Sequence, residues 1–195
     1  ENNCVDCVEK KPAWININWL TLDCIECSSI HRSLGVQISK IRSLKLDNIN
    51  QEYIELLGII KQSLINSVIE QELPNETTKP NSKSPREIKE KFIIQKYKEK
   101  KFIKSGNNNI ESIKLIFEAI QNNEILTVYK VLINNNFDIN ELYQFNEEKY
   151  GFVHHCAKLG KLTFLKLFYV FGADLNKLDS IGLKSIDYAE KNGYK

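Results

Sequence analysis

Cys4-Val-Asp-Cys7, a gap of sixteen residues, Cys24-Ile-Glu-Cys27, and then His31-Arg32-Ser33-Leu34-Gly35 form the stretch whose reading decides the fold. Each Cys-x2-Cys pair makes a knuckle that turns both sulfurs inward, so two pairs offer four thiolates to one tetrahedral metal site. The competing arrangement is two disulfides in a small secreted domain. A chain of 195 residues with five cysteines and many lysines is a poor disulfide scaffold. Cys4, Cys7, Cys24 and Cys27 are therefore expected to hold one zinc ion, and four thiolates leave no open position for water, so the ion is structural.

Working outward, Trp14, Ile15, Ile17 and Trp19 between the knuckles alternate as short extended segments do, closing a small sheet beside the metal. Ser28 to Leu34 reads as a short helix, with Ser28 or Ser29 as its cap and Gly35 as its end. Residues 36–47 then carry Lys40, Arg42 and Lys45 with no acid until Asp47. Tyr53, Leu57, Ile60, Leu64 and Val68 predict one face of a helix over 51–70, with Gly58 at a close approach between elements. Pro74 to Pro85 reads as a polar loop. Ser84-Pro85-Arg86-Glu87 predicts a capped helix start, with the helix running to Lys101. Arg86 and seven lysines against three glutamates follow Pro85 up to Lys104, with Ile88, Phe92 and Phe102 as anchors. A solvated helix face is the reading of these lysines, ahead of a membrane or nucleic-acid patch.

Ser105-Gly-Asn-Asn-Asn109 is the expected linker. Beyond it, Leu126–Ile133 recurs as Leu162–Tyr169, and Phe137-Asp-Ile-Asn140 as Ala173-Asp-Leu-Asn176, both offset by 36 residues. That period is close to the 33 residues of an ankyrin repeat. Ile113–Asn122 is the expected first helix, and about two and a half repeats fit in 110–195. The expected fold is thus mainly α: a Cys4 zinc module with a short sheet among helices over 1–105, then an ankyrin stack.

Composition narrows the function classes. A formal net charge of +2 is too near neutral for nucleic-acid affinity from bulk charge, and aromatic residues do not interleave the basic ones. No apolar run approaches the roughly 18 residues of a membrane span. The expectation is a cytoplasmic protein, and the absence of Met predicts a fragment of a longer one.

The two knuckles, the sixteen-residue gap, Arg32 five residues after Cys27, and His31-Arg-Ser-Leu-Gly-Val-Gln-Ile-Ser-Lys-Ile-Arg-Ser-Leu-Lys-Leu-Asp47 closely resemble the Arf GTPase-activating (ArfGAP) family over residues 4–104. Ankyrin repeats after such a module resemble its ASAP, ACAP and AGAP branch. The resemblance implies a protein that binds the GTP form of an Arf GTPase and speeds its hydrolysis, working at membranes and recruited there through other regions. It is not itself the enzyme. Arg32 is then an arginine finger, and the partner surface falls on Trp14, Ile25, Lys40, Leu46 and Asp47. For Trp14, Ile25 and Leu46 core packing is an equal reading, and Asp47 also fits a cap. An ankyrin-based scaffold with little activity is the alternative function. The family often has Gly where this chain has Trp19-Leu20, and His where it has Gln37. In the ankyrin family, histidine at the position of His155 bonds within a turn, and Cys156 reads as a small buried residue.

Overall fold

The segment between the cysteine pairs is extended only in part: Trp14–Asn16 (β1) and Thr21–Asp23 (β2) pair antiparallel, Trp14 opposite Asp23, while Ile17 and Trp19, expected to be extended, lie in the turn between them. The computed structural model describes residues 3–104, 108–134 and 137–194. The chain divides into two compact units, Glu1–Lys104 and Ser105–Lys195. In the first unit Ile41–Ser43 (β3) pairs with the other edge of β1, giving the order β2-β1-β3. Val5 N donates to Leu22 O at 3.0 Å, which ties the first knuckle to this sheet. The turn between β1 and β2 holds Leu20 at φ +53°, a left-handed conformation that suits glycine. Leucine occupies it because its side chain is fully buried, while Trp19 donates from Nε1 to Ile38 O at 2.8 Å.

Helix α1 spans Ile25–Ser33, three residues earlier than expected. The cap is Cys24, whose sulfur accepts from Cys27 N at 3.4 Å, so a metal-ligand side chain does the work assigned to serine. Ser28 and Ser29 lie inside the helix and donate back to Ile25 O and Glu26 O. Gly35 closes it at φ +86°.

The single helix expected over 51–70 is two, α2 (Gln51–Ile59) and α3 (Gln62–Ile69). The break has a cause: Gln62 satisfies the sheet edge, accepting from Leu22 N at 2.8 Å and donating to Leu20 O at 3.2 Å. The chain turns at Ile60 to bring it there, and the buried face becomes Leu56, Ile60, Ile65, Val68 and Ile69. Gly58 has open space where a β-carbon would stand, so no close approach explains it. Helix α4 (Arg86–Ile93) starts after Pro85, and the Ser84 hydroxyl accepts from Asn81 N instead of capping it. The helix continues as a wide π-helical turn, Ile94–Lys98, where Glu99 N reaches back five residues to Ile94 O, and it stops short of Lys101. Phe92 and Phe102 are buried as expected, whereas Ile88 is half exposed.

In the second unit α5 (Asn109–Gln121) begins earlier than the expected Ile113, because the Asn108 side chain accepts from Glu111 N and caps it. Residues 105–107 of the expected linker lie outside the described residues. α6 (Ile125–Asn134) follows, then a hairpin of Tyr143–Phe145 (β4) and Glu148–Tyr150 (β5), then α7 (Phe152–Lys158), α8 (Leu162–Val170) and α9 (Ser185–Lys191). The α5–α6 and α7–α8 pairs each turn through a left-handed residue, Asn123 and Gly160. Phe152 stacks on Phe168 and meets Phe117 at a tilt of 46° in the core of this unit. The turn-bonding histidine is His154, which accepts at Nδ1 from Gly151 N and meets Lys177 O through Nε2. His155 instead meets the Tyr150 hydroxyl, and Cys156 is fully buried. Among the described residues no helix is long and apolar enough to cross a membrane.

Candidate functional site

Cys4 and Cys7 sit on the first knuckle, Cys24 caps α1 and Cys27 lies in its first turn, and all four are buried. Their sulfurs lie within 4.8 Å of one another, with Cys7 and Cys24 at 3.6 Å. A disulfide needs about 2.05 Å, so the paired-disulfide arrangement is set aside. A tetrahedral ion with metal–sulfur bonds of about 2.3 Å places its sulfurs about 3.8 Å apart, close to the Cys7–Cys24 separation. Cys24 at the cap of α1 and Cys27 in its first turn face the positive end of the helix dipole, which favours the thiolate form a metal needs. The four cysteines are placed to hold one metal ion.

The same helix carries Arg32 in its last turn. Its side chain is exposed, and the guanidinium carbon lies 4.5 Å over the Trp14 ring at the start of β1. Ile25 stands seven residues before Arg32, two turns away on the same side of α1, and is 73% exposed. Leu46 is 86% exposed in the turn after β3, three residues beyond Ser43, the strand partner of Trp14. Lys40 is exposed before β3. Asp47 is exposed, and its Oδ2 accepts from Ser43 N at 2.5 Å, which closes that turn. The fold thus places Arg32 and Trp14 in contact, leaves Ile25, Lys40 and Leu46 open to solvent, and gives Asp47 a local bond.

Behind Arg32 lies a buried polar cluster that composition and motif spacing do not announce. His31 Nε2 is 2.9 Å from Asp6 Oδ2, and its Nδ1 is 2.8 Å from the Ser39 hydroxyl. Lys96 Nζ bonds Asp6 Oδ1, Asn66 Oδ1 and Glu70 Oε1 at 2.9, 2.7 and 2.7 Å. Burial alone raises the Asp6 carboxyl, but the Lys96 ammonium and the bond to His31 outweigh it and hold it below the usual range. The Asp23 carboxyl, 3.8 Å from His31, has no hydrogen bond among the described residues, and burial pushes it well up. Lys89, equally buried on the preceding turns of α4, bonds Glu26 of α1 and Ser82 O. The lysines expected on a solvated face include these two, which are core. One signal in the sequence points to them: Lys89, Phe92, Ile93, Lys96 and Tyr97 fall on a single helical stripe.

A family model for ArfGap, described as a GTPase activating protein for Arf, matches residues 1–106. The human Arf-GAP with coiled-coil, ANK repeat and PH domain-containing protein 3 is 43% identical over 106 residues, 54% of this chain and 13% of that protein. A Saccharomyces cerevisiae ADP-ribosylation factor GTPase-activating protein effector protein 1 is 34% identical over 158 residues, 77% of this chain and 32% of that protein. The Caenorhabditis elegans Arf-GAP with ANK repeat and PH domain-containing protein cnt-1 is 32% identical over 202 residues, 94% of this chain and 23% of that protein. The chain spans a third or less of the length of each of these relatives.

Proposed function

Because the chain belongs to the ArfGAP family through residues 1–106, we propose that it activates GTP hydrolysis by an Arf-family GTPase, with Arg32 as the residue that enters the partner's site. The observation that carries this is Arg32 itself: an exposed guanidinium on the final turn of a helix whose first turn is clamped by the four cysteines. Phosphoryl transfer to water spreads negative charge over the γ-phosphoryl oxygens, and an arginine supplied by a partner raises the rate by about 10³ to 10⁵. That corresponds to about 4 to 7 kcal/mol of barrier. The planar guanidinium bonds two oxygens at once, which an ammonium does not.

The ion is proposed to be zinc, since four clustered thiolates suit it and complete its coordination. Its part is to fix the start of α1; the chemistry stays with the partner's nucleotide and Arg32. Trp14, Ile25, Lys40 and Leu46 are proposed to meet the GTPase around the arginine, and Asp47 to hold the turn that presents Leu46. The place of action is proposed to be the cytoplasmic face of membranes where Arf works.

The second unit is proposed to be a short ankyrin stack. Two loops 36 residues apart form the same turn, Asp138 Oδ1 accepting from Asn140 N and Asp174 Oδ1 from Asn176 N, both at 2.8 Å. Asn140 then bonds the next loop, accepting from Asp174 N and donating to Gly172 O, as stacked repeats do. This favours a second reading, a scaffold in which protein binding through the repeats is the main activity. Single-turnover GTP hydrolysis by purified Arf proteins decides: stimulation that Arg32→Ala abolishes supports the activator, and no stimulation of any Arf leaves the scaffold.

A further inference from the structure

A line of buried contacts runs from the wide turn after α4 to the residue beside Arg32. Lys96 Nζ and the Tyr97 hydroxyl both donate to Asp6 Oδ1, at 2.9 and 3.0 Å. The other oxygen of that carboxylate faces His31 Nε2, and His31 Nδ1 meets Ser39. Lys96, Tyr97, Asp6, His31 and Ser39 are each 1% exposed or less. The ammonium has three donors and three acceptors, Asp6 in the first knuckle and Asn66 and Glu70 at the end of α3, and the imidazole is held at both nitrogens with its ring edge-on to Tyr97, 4.6 Å between centres.

Apolar side chains of the same volume avoid the desolvation cost of buried charges. What hydrogen bonds add is direction. His31 and Arg32 are consecutive in the last turn of α1, so a fixed imidazole fixes how that turn is rotated and the direction in which Arg32 leaves it. The cysteines clamp only the other end of the helix, at Cys24 and Cys27. The wide turn matters here, because it aims two successive side chains, Lys96 and Tyr97, at one carboxylate oxygen.

We propose that Lys96, acting through Asp6 and His31, is a positioning residue for Arg32, so that the C-terminal helix of the first unit sets the aim of the arginine 64 residues earlier. The claim rests on the Arg32 reading above and deepens it. A group held within a fraction of an ångström of its productive place matters because misplacement by about 1 Å can cost a hundredfold in rate.

The test is single-turnover GTP hydrolysis by an Arf protein with the full chain, reading the maximal rate and the half-saturating concentration separately. Lys96→Met keeps the length and removes the ammonium; Tyr97→Phe removes one hydroxyl and keeps the ring. Zinc content and thermal melting establish that each variant is folded. Lys96→Met is expected to lower the maximal rate at least about tenfold with half-saturation unchanged within about twofold, and Tyr97→Phe to act the same way but less. In an Arg32→Ala background Lys96→Met is expected to cost nothing more, since an arginine already absent cannot be misplaced. Losses that multiply, or a rate that falls only with the unfolded fraction, overturn the proposal while leaving Arg32 in its role. Should Lys96→Met not fold, an unchanged rate for Tyr97→Phe overturns it alone. Arg32→Ala at full rate removes the activator reading itself, and this proposal with it.

Discussion

The guanidinium carbon of Arg32 lies 4.5 Å from the centre of the Trp14 ring, so the side chain proposed for catalysis rests on an aromatic face before any partner arrives. An exposed contact of this kind is worth about 0.5–1 kcal/mol, or roughly a two- to fivefold change in rate. Trp14→Leu is therefore expected to lose about that much of the maximal hydrolysis rate through Arg32, plus whatever the ring contributes to GTPase binding. Arg32→Ala and Arg32→Lys should both lose about 10³. An Arg32→Lys protein with near-normal single-turnover rates contradicts the two-oxygen role.

Ile25 and Leu46 are too exposed to stabilise the fold. Ile25→Ser and Leu46→Ser are expected to change unfolding free energy by no more than about 0.5 kcal/mol. Burying a side chain of this size against a partner contributes about 1.5–3 kcal/mol, so each should raise half-saturation by Arf about tenfold or more. Asp47→Ala should differ in costing about 1 kcal/mol of stability through the lost bond to Ser43 N, besides weakening binding by loosening the turn that presents Leu46. Denaturant titration and hydrolysis titration separate the two patterns; unchanged half-saturation in both serine variants places the partner face elsewhere.

Metal removal should unfold the first unit, because a structural Cys4 site supplies on the order of 10 kcal/mol of apparent folding free energy. Purified protein is expected to hold one zinc ion and no rapidly reactive thiol, since all five cysteines are buried. Chelation should expose Cys4, Cys7, Cys24 and Cys27 to a thiol reagent and abolish activation of Arf. Thiols that stay protected after complete metal removal count against a structural ion.

The metal cluster is legible in the sequence because ligand chemistry needs only residue type and spacing, and Cys4-x2-Cys7 with Cys24-x2-Cys27 supplies both. Strand positions near Ile15 follow from alternation. The break at Ile60 does not, because its cause is a tertiary bond from Gln62 to Leu22 and Leu20, forty residues away in sequence. Ser28 is a good cap by type, yet Cys24 takes the position because the helix start is set by the metal cluster. Lys96 escapes a reading by charge for a related reason. Charge predicts a solvated side chain, and only the periodic stripe through Phe92 and Tyr97, with an acid at Asp6 waiting for it, tells that this lysine points inward.

His155 gives the second unit its own pH response. Burial, and then the Lys158 ammonium, push its imidazole down from 6.5 to about 4, and its Nε2 has no hydrogen-bond partner among the described residues. The unfolded chain gains this proton below about pH 6.5, whereas the folded chain takes it up only near pH 4. Stability is therefore fully present above 6.5 and is lost as pH falls from 6.5 toward 4, by on the order of 3 kcal/mol. The protection of α7 amides, measured against the intrinsic exchange rate at each pH, should fall over that range, and His155→Gln should flatten the response. Following α7 avoids the loss of thiolate–metal bonds in the other unit. A ring titrating near 6.5 by NMR contradicts the expectation.

Leu20 poses a choice between two opposing effects. Its left-handed backbone at φ +53° costs a leucine about 1–2 kcal/mol, which Leu20→Gly relieves. Its side chain is fully buried, and deleting a buried leucine down to its β-carbon already costs about 2.7–5 kcal/mol. Glycine also gives the unfolded chain more freedom, for about another 0.5–1 kcal/mol. Burial wins, and Leu20→Gly should destabilise the first unit by about 2–4 kcal/mol, read as a lower denaturant midpoint at constant slope. A higher midpoint means that the strain of this turn exceeds what Leu20 gains beneath the sheet.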